Sequence, residues 1–420
     1  MMKRFLLTIC ILLFTFLLFS CDLFQNNCGC ANKIDATDHG LSTENSGEEN
    51  SAALQELIDE LSLEGGTVYI PEGEYLFAEN GSQTIGSHCI KMRSNVSIVG
   101  DGDGTVLRPV GESNYGLDMF YFNDYLDTGE ANYLENCTFS DFLIDARDTS
   151  CRVYTSAGKG FMFNLFKNCH WQRVTVKNTD ATGFGVDCPI NGSITDCTAI
   201  GCGKAASEEN GGASGFGIGF GYCAEESITI SGCRSLDNKK FGFFLEHQGR
   251  FSDERYSSEN SGIFNVADCT ASGNLYNFGG ICAMNTVYEE CSSDGARKFG
   301  FYFENSTDSA VKNCKSENEG EAGFAIIQNK TDGELAASGI VFLGSSVEGS
   351  PVGAKIVGLG APSLMGDNKI IECDFGDCET AVYTEGEMHS LTLKGNLSSS
   401  DKLLLLASIR EVIDTENSWN

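Results

Sequence analysis

The apolar and polar positions of this chain fall into one unit that returns along most of its length. It is clearest from Cys233 to Gln248: a Cys, a polar stretch, a Gly, an alternating apolar strand and a polar close. Cys291–Asn305 and Cys314–Gln328 repeat it, with eight residues between Cys and Gly each time (Cys233/Gly242, Cys291/Gly300, Cys314/Gly323). Looser copies start at Cys169, Cys197 and Cys269, while Cys137 and Cys373 stand in similar Asn-Cys or Glu-Cys contexts. Successive Cys from Cys137 to Cys314 are 32, 28, 36, 36, 22 and 23 residues apart. Period-2 alternation with almost no helical pattern predicts one short strand per unit, flanked by turns. Units of this length bury an apolar face only against their neighbours, so the pattern predicts an all-β solenoid.

Composition sharpens this picture. In 420 residues there are 49 Gly and 5 Pro, as expected of a folded, turn-rich chain. The net charge of −31 excludes nucleic acid as a partner and disfavours adhesion to anionic membranes, since both need basic surface. At least eight of the 19 Cys occupy one repeat position. Stacked coils set equivalent residues about 4.8 Å apart, so these Cys are expected as a buried ladder of small apolar side chains rather than a disulfide framework. Residues 1–20, with Lys3-Arg4 and an apolar run from Phe5 to Phe19, read as an export signal. Leu18-Phe19-Ser20-Cys21 resembles a bacterial lipobox, which implies lipidation at Cys21 and an exported, envelope-anchored lipoprotein with residues 21–33 as its tether.

From Ile34 the chain resembles the amino-terminal region of the pectate-lyase-like superfamily. The residues that carry the resemblance are Asp35–Gly40, Asn50–Ile58, Gly65–Tyr75 and Ser97–Thr105. It implies a single-stranded right-handed parallel β-helix over 34–420, with a capping helix at about 50–63, coils at about 66–400 and a carboxy-terminal cap at about 401–420. Asn50 or Ser51 is the expected helix cap, and Ala53, Leu54, Leu57, Ile58 and Leu61 share one face. Gly100–Gly104 joins two predicted strands and so reads as a turn, without the helix amino terminus of a phosphate loop. The aromatics Tyr115, Phe120, Tyr121, Phe122 and Tyr125 fit either core packing or a sugar-stacking loop. Residues Asp401–Ile413 are expected to close the far end as a strand or short helix.

Aligning the units on their strand Gly turns each position into a row. Phe184, Ile218, Phe243, Ile281, Phe301 and Phe324 form one inward row, and Val186, Phe220, Leu245, Ala283, Phe303 and Ile326 the next. The outward row is Asp187, Gly221, Glu246, Met284, Glu304 and Ile327, followed at the turn by Cys188, Tyr222, His247, Asn285, Asn305 and Gln328. Asp187, Glu246 and Glu304 therefore share a surface, with about 9–10 Å between successive members. Carboxylates so placed are suited to acid and base work across a sugar, or to holding a cation such as calcium against a uronate. In this alignment Tyr222 and His247 lie one coil apart, about 5 Å, and flank Glu246. A Tyr/His pair beside a carboxylate suits proton abstraction α to a carboxylate, the step shared by uronate lyases and C5-epimerases. Arg250, Arg255, Lys204, Lys239 and Lys240 in adjoining turns would neutralise the substrate.

Solenoids also stack polar side chains at turns to satisfy backbone groups, and His247 is equally readable as one rung beside Asn285, Asn305 and Gln328. The excursions Gly203–Ser214 and Gly249–Ser261 leave beside the same face, where solenoids build binding sites. The expected protein is a monomer acting on polysaccharide as a uronate-glycan lyase, C5-epimerase or glycoside hydrolase. The catalytic candidates are Glu246, His247, Asp187 and Tyr222; the substrate-binding candidates are Arg250, Arg255 and Glu304. A glycan-binding or adhesive envelope solenoid is the non-catalytic alternative.

Overall fold

The computed structural model describes residues 33–248, 264–329, 336–359, 365–399, 403–405 and 407–419. Cys21 with its leader and tether, and Arg250 and Arg255, lie outside the described residues. Helix α1 (Gly47–Leu61) opens with a capping box: Ser46 Oγ accepts from Glu49 N, and the Glu49 carboxylate accepts from Ser46 N at 2.8 Å. Asn50 and Ser51 are therefore not its caps. They are buried on the inner face, where Asn50 Nδ2 donates to Leu76 O at 3.1 Å and Ser51 Oγ to Ala78 O at 2.8 Å. Leu54, Leu57, Ile58 and Leu61 bury against the first coils, so the helix plugs a solenoid end that would otherwise expose core.

The coils wind as a right-handed parallel β-helix. Each full coil carries three strands rather than the one that the apolar pattern predicts. Ile228–Ser231, Arg234–Leu236 and Phe241–His247 pair in parallel with Phe264–Ala267, Thr270–Ser272 and Tyr276–Ile281 of the next coil. Of the two strands the pattern missed, Arg234–Leu236 looked like a polar turn because its inward residue, Ser235, is small and hydroxylic, yet it is fully buried. The residue before each ladder Cys adopts the left-handed conformation, as at Asn136 (φ 58°), Asn168 (51°), Asp196 (53°), Asp268 (53°) and Asn313 (51°). Asn and Asp tolerate that region better than most side chains, which explains the recurring context.

The Cys ladder forms as expected. Cys137 and Cys169 pair in register, and the backbone N–H of Cys197 donates to Cys233 Sγ and that of Cys233 to Cys269 Sγ, each at 3.4 Å. The ladder thiols are buried and free, and burial pushes that of Cys373 up to about 12. Held neutral in this way, the Cys373 thiol is chemically inert, whereas hydrogen bonds with Cys233 and Cys291 pull the Cys269 thiol down.

The sheet that matters for function is built from β1 (Ser87–Lys91), β2 (Leu117–Phe122), β3 (Phe161–Lys177), β4 (Phe184–Ile190), β5 (Phe216–Phe220), β6 (Phe241–His247), β7 (Tyr276–Ile281), β8 (Phe299–Glu304), β9 (Ala322–Gln328), β10 (Val352–Gly358) and β11 (Thr380–Lys394). Its main inward row is a stack of phenylalanines. Ring centroids lie 4.7 Å apart for Phe184–Phe216 and Phe216–Phe243, 5.0 Å for Phe243–Phe278 and 4.8 Å for Phe278–Phe301.

This register corrects two rungs of the sequence alignment. Phe216 and Phe278, not Ile218 and Ile281, belong with Phe184 and Phe243. The outward row is thus Asp187, Gly219, Glu246, Ile281, Glu304 and Ile327. Gly217 and Gly280 are not the equivalents of Gly242; the aromatic rungs set the register because their burial outweighs any preference for Gly.

Phe120, Tyr121 and Phe122 are buried, whereas Tyr115 and Tyr125 are exposed, the latter on the short helix α2 (Asp124–Thr128). Gly102–Gly104 is a turn between two strands, as read from sequence. The far end is built of strands, Ser408–Thr415 and Ser418–Trp419, paired in parallel with the coil before.

Candidate functional site

Outward positions on neighbouring strands β4 and β5 are Gly185, Gly217 and Gly219, and their missing side chains leave a trough in the sheet surface. The resulting cavity of about 300 Å³ is bounded by Asp187 of β4 and by Phe244 and Glu246 of β6. Lys159, Met162 and Thr182 line it on the upstream side, and Gln248 closes it from β6. Asp187 pairs with Gly219, and Gly219 with Glu246, so the two carboxylate residues stand two strand spacings apart, about 9.6 Å, across a glycine.

Gly219 is sterically required there. A Cβ on it would stand 2.4 Å from Gln248 Nε2 and 2.6 Å from Asp187 Oδ1. Its own N–H donates to Asp187 Oδ1 at 2.7 Å and orients that carboxylate, which is only 7% exposed. Gly185 serves the cation: a Cβ there would lie 2.5 Å from Lys159 Cδ and 2.9 Å from its Nζ, so the lysine chain lies across the floor. The backbone at Lys159 is held by buried Asp118, whose Oδ1 accepts from Lys159 N at 2.7 Å and Gly158 N at 2.8 Å. Burial raises the Asp118 carboxyl while these bonds oppose the shift. Gln83, another wall residue, also donates to Asp118.

The loop from Gly203 to Ser214 supplies a wall through Gly211 and Gly212. It is tied down by Tyr154 Oη and Ser156 Oγ, which donate to Gly211 O at 2.8 and 3.1 Å, and by Lys240 Nζ, which donates to Asn210 O at 3.0 Å. Lys204 at its start reaches away from the trough, to Thr149 Oγ1 at 3.1 Å and Asp180 at 3.5 Å.

The structure therefore brings Asp187 and Glu246 together in one cavity, with Glu304 two further strand spacings along the same row. It does not bring Tyr222 to them. His247 lies opposite Phe220, not Tyr222. Tyr222 packs instead against Tyr133, with ring centroids 6.5 Å apart, beside Leu165 and Cys188. Its backbone N–H and that of Gly221 donate to buried Glu226, whose carboxyl burial pushes up to about 7.

His247 alternates away from Glu246, covers Gly221 and meets Phe220 edge-on at 6.0 Å. Burial lowers its pKa, and it does not line the cavity. Lys159, Thr182, Gln248 and the glycine floor escaped sequence reasoning. The legible signal was Phe184-Gly-Val-Asp187 beside Phe216-Gly-Ile-Gly-Phe220, where strand alternation leaves Gly at three adjoining outward positions. Among the described residues no group of three or more His, Cys, Asp and Glu is placed to hold a metal ion, and no helix is long and apolar enough to cross a membrane.

Known proteins agree with this architecture. A family model described as rhamnogalacturonase A/epimerase, pectate lyase-like, matches residues 34–240. No curated protein sequence matches the chain. Among solved structures, the A-module of Azotobacter vinelandii mannuronan C-5 epimerase AlgE6 superposes with a TM-score of 0.63 at 17% identity, over 92% of this chain and 99% of that one. The catalytic domain of a GH87 α-1,3-glucanase, solved with tetrasaccharides, gives 0.60 at 11% identity over 94% and 70%. The tailspike protein of E. coli bacteriophage HK620 gives 0.62 at 15% over 92% and 72%. At these identities the likeness is one of fold. The match over residues 34–240 and the coil-by-coil geometry agree: the chain has the pectate-lyase-like parallel β-helix fold.

Proposed function

We propose that this protein acts on a polysaccharide by hydrolysing a glycosidic bond, with Asp187 and Glu246 as its acid and base. The observation that carries the reading is the pair of carboxylate residues two strand spacings apart across Gly219. Two carboxyl groups some 6.5–9.5 Å apart leave room for a water on the far side of the sugar, the arrangement of inverting hydrolases. A backbone spacing of about 9.6 Å lies at the upper edge of that window and well beyond the roughly 5 Å of retaining enzymes. One carboxyl protonates the glycosidic oxygen while the other draws the proton from that water. Lys159 adds donors for sugar hydroxyls. Elimination or C5-epimerisation of a uronate is supported less well. Among the described lining residues Lys159 is the sole cationic side chain, and none is Tyr or His.

The structural relatives bear on substrate class, being an epimerase, a glucanase and a tailspike solved with oligosaccharide. The protein is read as a monomeric exported lipoprotein, touching the membrane through a lipid on Cys21 alone; palmitate labelling lost in Cys21→Ser tests that anchor. The reaction is tested by a product assay on neutral and uronate glycans. New reducing ends, lost in Glu246→Gln and Asp187→Asn with folding intact, are expected. Unsaturated ends would mean a lyase and C5 proton exchange an epimerase. Silence with tight retention would make it a binding solenoid.

A further inference from the structure

Downstream of the trough the same outward face is paved rather than hollow. Phe241, Phe244, Phe299, Tyr302, Ala322 and Ala325 form a buried cluster separate from the main core, with Tyr276 half-buried at its edge. Phe241 and Phe244 stack at 4.4 Å, and Tyr276 stacks on Tyr302 at 4.6 Å with 12° between the rings. A phenylalanine and tyrosine terrace is not needed to close a coil, since the opposite face of each strand already packs the main core.

A cavity of about 600 Å³ opens onto it, lined by Tyr276, Tyr302, Glu304, Lys240, Lys298 and, from the loop, Glu208. Glu304 is held in place, taking a hydrogen bond from Tyr302 Oη and another from Asn329 Nδ2 at 2.6 Å. The loop that walls the first cavity with Gly211 and Gly212 walls this one with Ser207, Glu208 and Glu209. Both cavities lie on one face and one row, from Asp187 through Glu246 to Glu304.

The geometry points to this second cavity as a distal subsite for the same glycan chain, taking a neutral sugar whose ring stacks on Tyr276. This rests on the glycan reading of the first cavity. Continuity along the row supplies the occupant, and charge supplies its class. Glu208 is paired with Arg297, so Glu209 and Glu304 face Lys240 and Lys298, a lining with no net positive charge to attract a uronate and with donors and acceptors suited to sugar hydroxyls. An aromatic face with hydroxyl-bonding groups around it is the usual means of holding a pyranose.

The test is affinity electrophoresis of the full chain carrying Glu246→Gln, so that polymer is not consumed. Gels contain dextran, laminarin, galactan, rhamnogalacturonan, polygalacturonate or alginate. At least one polymer with neutral sugars is expected to retard the protein. Tyr276→Leu is expected to weaken that retention at least tenfold, and Lys298→Met two- to fivefold. Lys298→Met, being nearer the surface, serves if the tyrosine variant misfolds. Equal retention of both variants and parent overturns the proposal, as does retention by polygalacturonate and alginate alone, or by no polymer. If no glycan is turned over by the unsubstituted protein yet Tyr276→Leu still lowers retention, the hydrolytic reading falls and the subsite stands.

Discussion

The trough across β4 to β6 and the aromatic terrace across β6 to β9 are built on one sheet with one inward phenylalanine stack, yet they treat their outward positions in opposite ways. The trough leaves Gly185 and Gly217 on the row where the terrace places Phe244, Tyr302 and Ala325, and Gly219 on the row where it places Ile281 and Glu304. Inward residues must fill a core of fixed cross-section, so they vary little between the two regions. Outward residues carry no such duty, and removing them costs chiefly the strand's preference for a side chain. A parallel solenoid can therefore carve a binding site by deletion alone, without moving its backbone. The supporting corners differ as well. Beside the trough runs a neutral ladder in which Asn238 Nδ2 donates to Asn274 Oδ1 at 2.9 Å. Beneath the terrace the equivalent corner holds buried Glu319, bonded by Ser293 Oγ at 2.5 Å and Ser316 Oγ at 2.8 Å.

The contrast is broken most severely by neutralising the trough's carboxylates. Glu246→Gln or Asp187→Asn should each lower kcat by about 10²–10⁴, while Glu304→Gln on the terrace should change kcat by less than about tenfold; initial rates of reducing-end release decide it. Next in size is filling the floor. Gly217→Leu should lower kcat/KM by about 10- to 100-fold, or roughly 1.4–2.7 kcal/mol, with the thermal transition little moved, because a Cβ there meets nothing closer than Thr182 Cγ2 at 3.1 Å. A comparable loss of stability instead would mean the trough is packed rather than open.

Phe299→Ala tests the terrace as structure. It should cost about 1–3 kcal/mol, less than the roughly 3–5 kcal/mol of Phe243→Ala in the core, because solvent already borders the outer cluster; denaturant midpoints compare them.

Glu319 gives a smaller, pH-dependent effect. Its carboxyl is pushed by burial from 4.5 up to about 7. Its contribution to stability is thus full below pH 4.5 and is lost as pH rises through 7, when the folded state must hold a buried charge. The melting temperature should fall over that window, and Glu319→Gln should flatten the slope; Glu226, raised to about 7 as well, leaves a residual slope. Smallest of all, His247→Ala should alter kcat by less than about threefold, since the imidazole lies over Gly221 and outside the trough. A large loss would place His247 in the chemistry and break the assignment of function to outward residues alone.

Much of this was legible in the residues. The Cys-to-Gly spacing located the coils, and the alternation after Gly183, Gly242, Gly300 and Gly323 assigned inward and outward faces correctly. Asp187, Glu246 and Glu304 therefore landed on one row, two coils apart, as they do in the structure. The alignment failed on the two coils that carry extra glycines. There Gly217 and Gly280 offered false anchors, and the apparent Tyr222/His247 pair followed from that slip. At Gly217 the slip is two residues, which keeps every side chain on its proper face, so no pattern of polarity exposes it; at Gly280 it is three, which read the outward Ile281 as inward.

The sequence by itself determined the solenoid, its helical plug, the Cys ladder and the acidic outward row, because each is a local period imposed by strand geometry or by the demands of burial. Only the tertiary structure decided which coil sits opposite which. That choice turned three separated glycines into one trough, put Lys159 and Gln248 beside Asp187, and sent Tyr222 to Tyr133. The physical reason is that cross-coil register is fixed by the stacking of large buried rings, a property of pairs of coils that no single stretch of sequence contains.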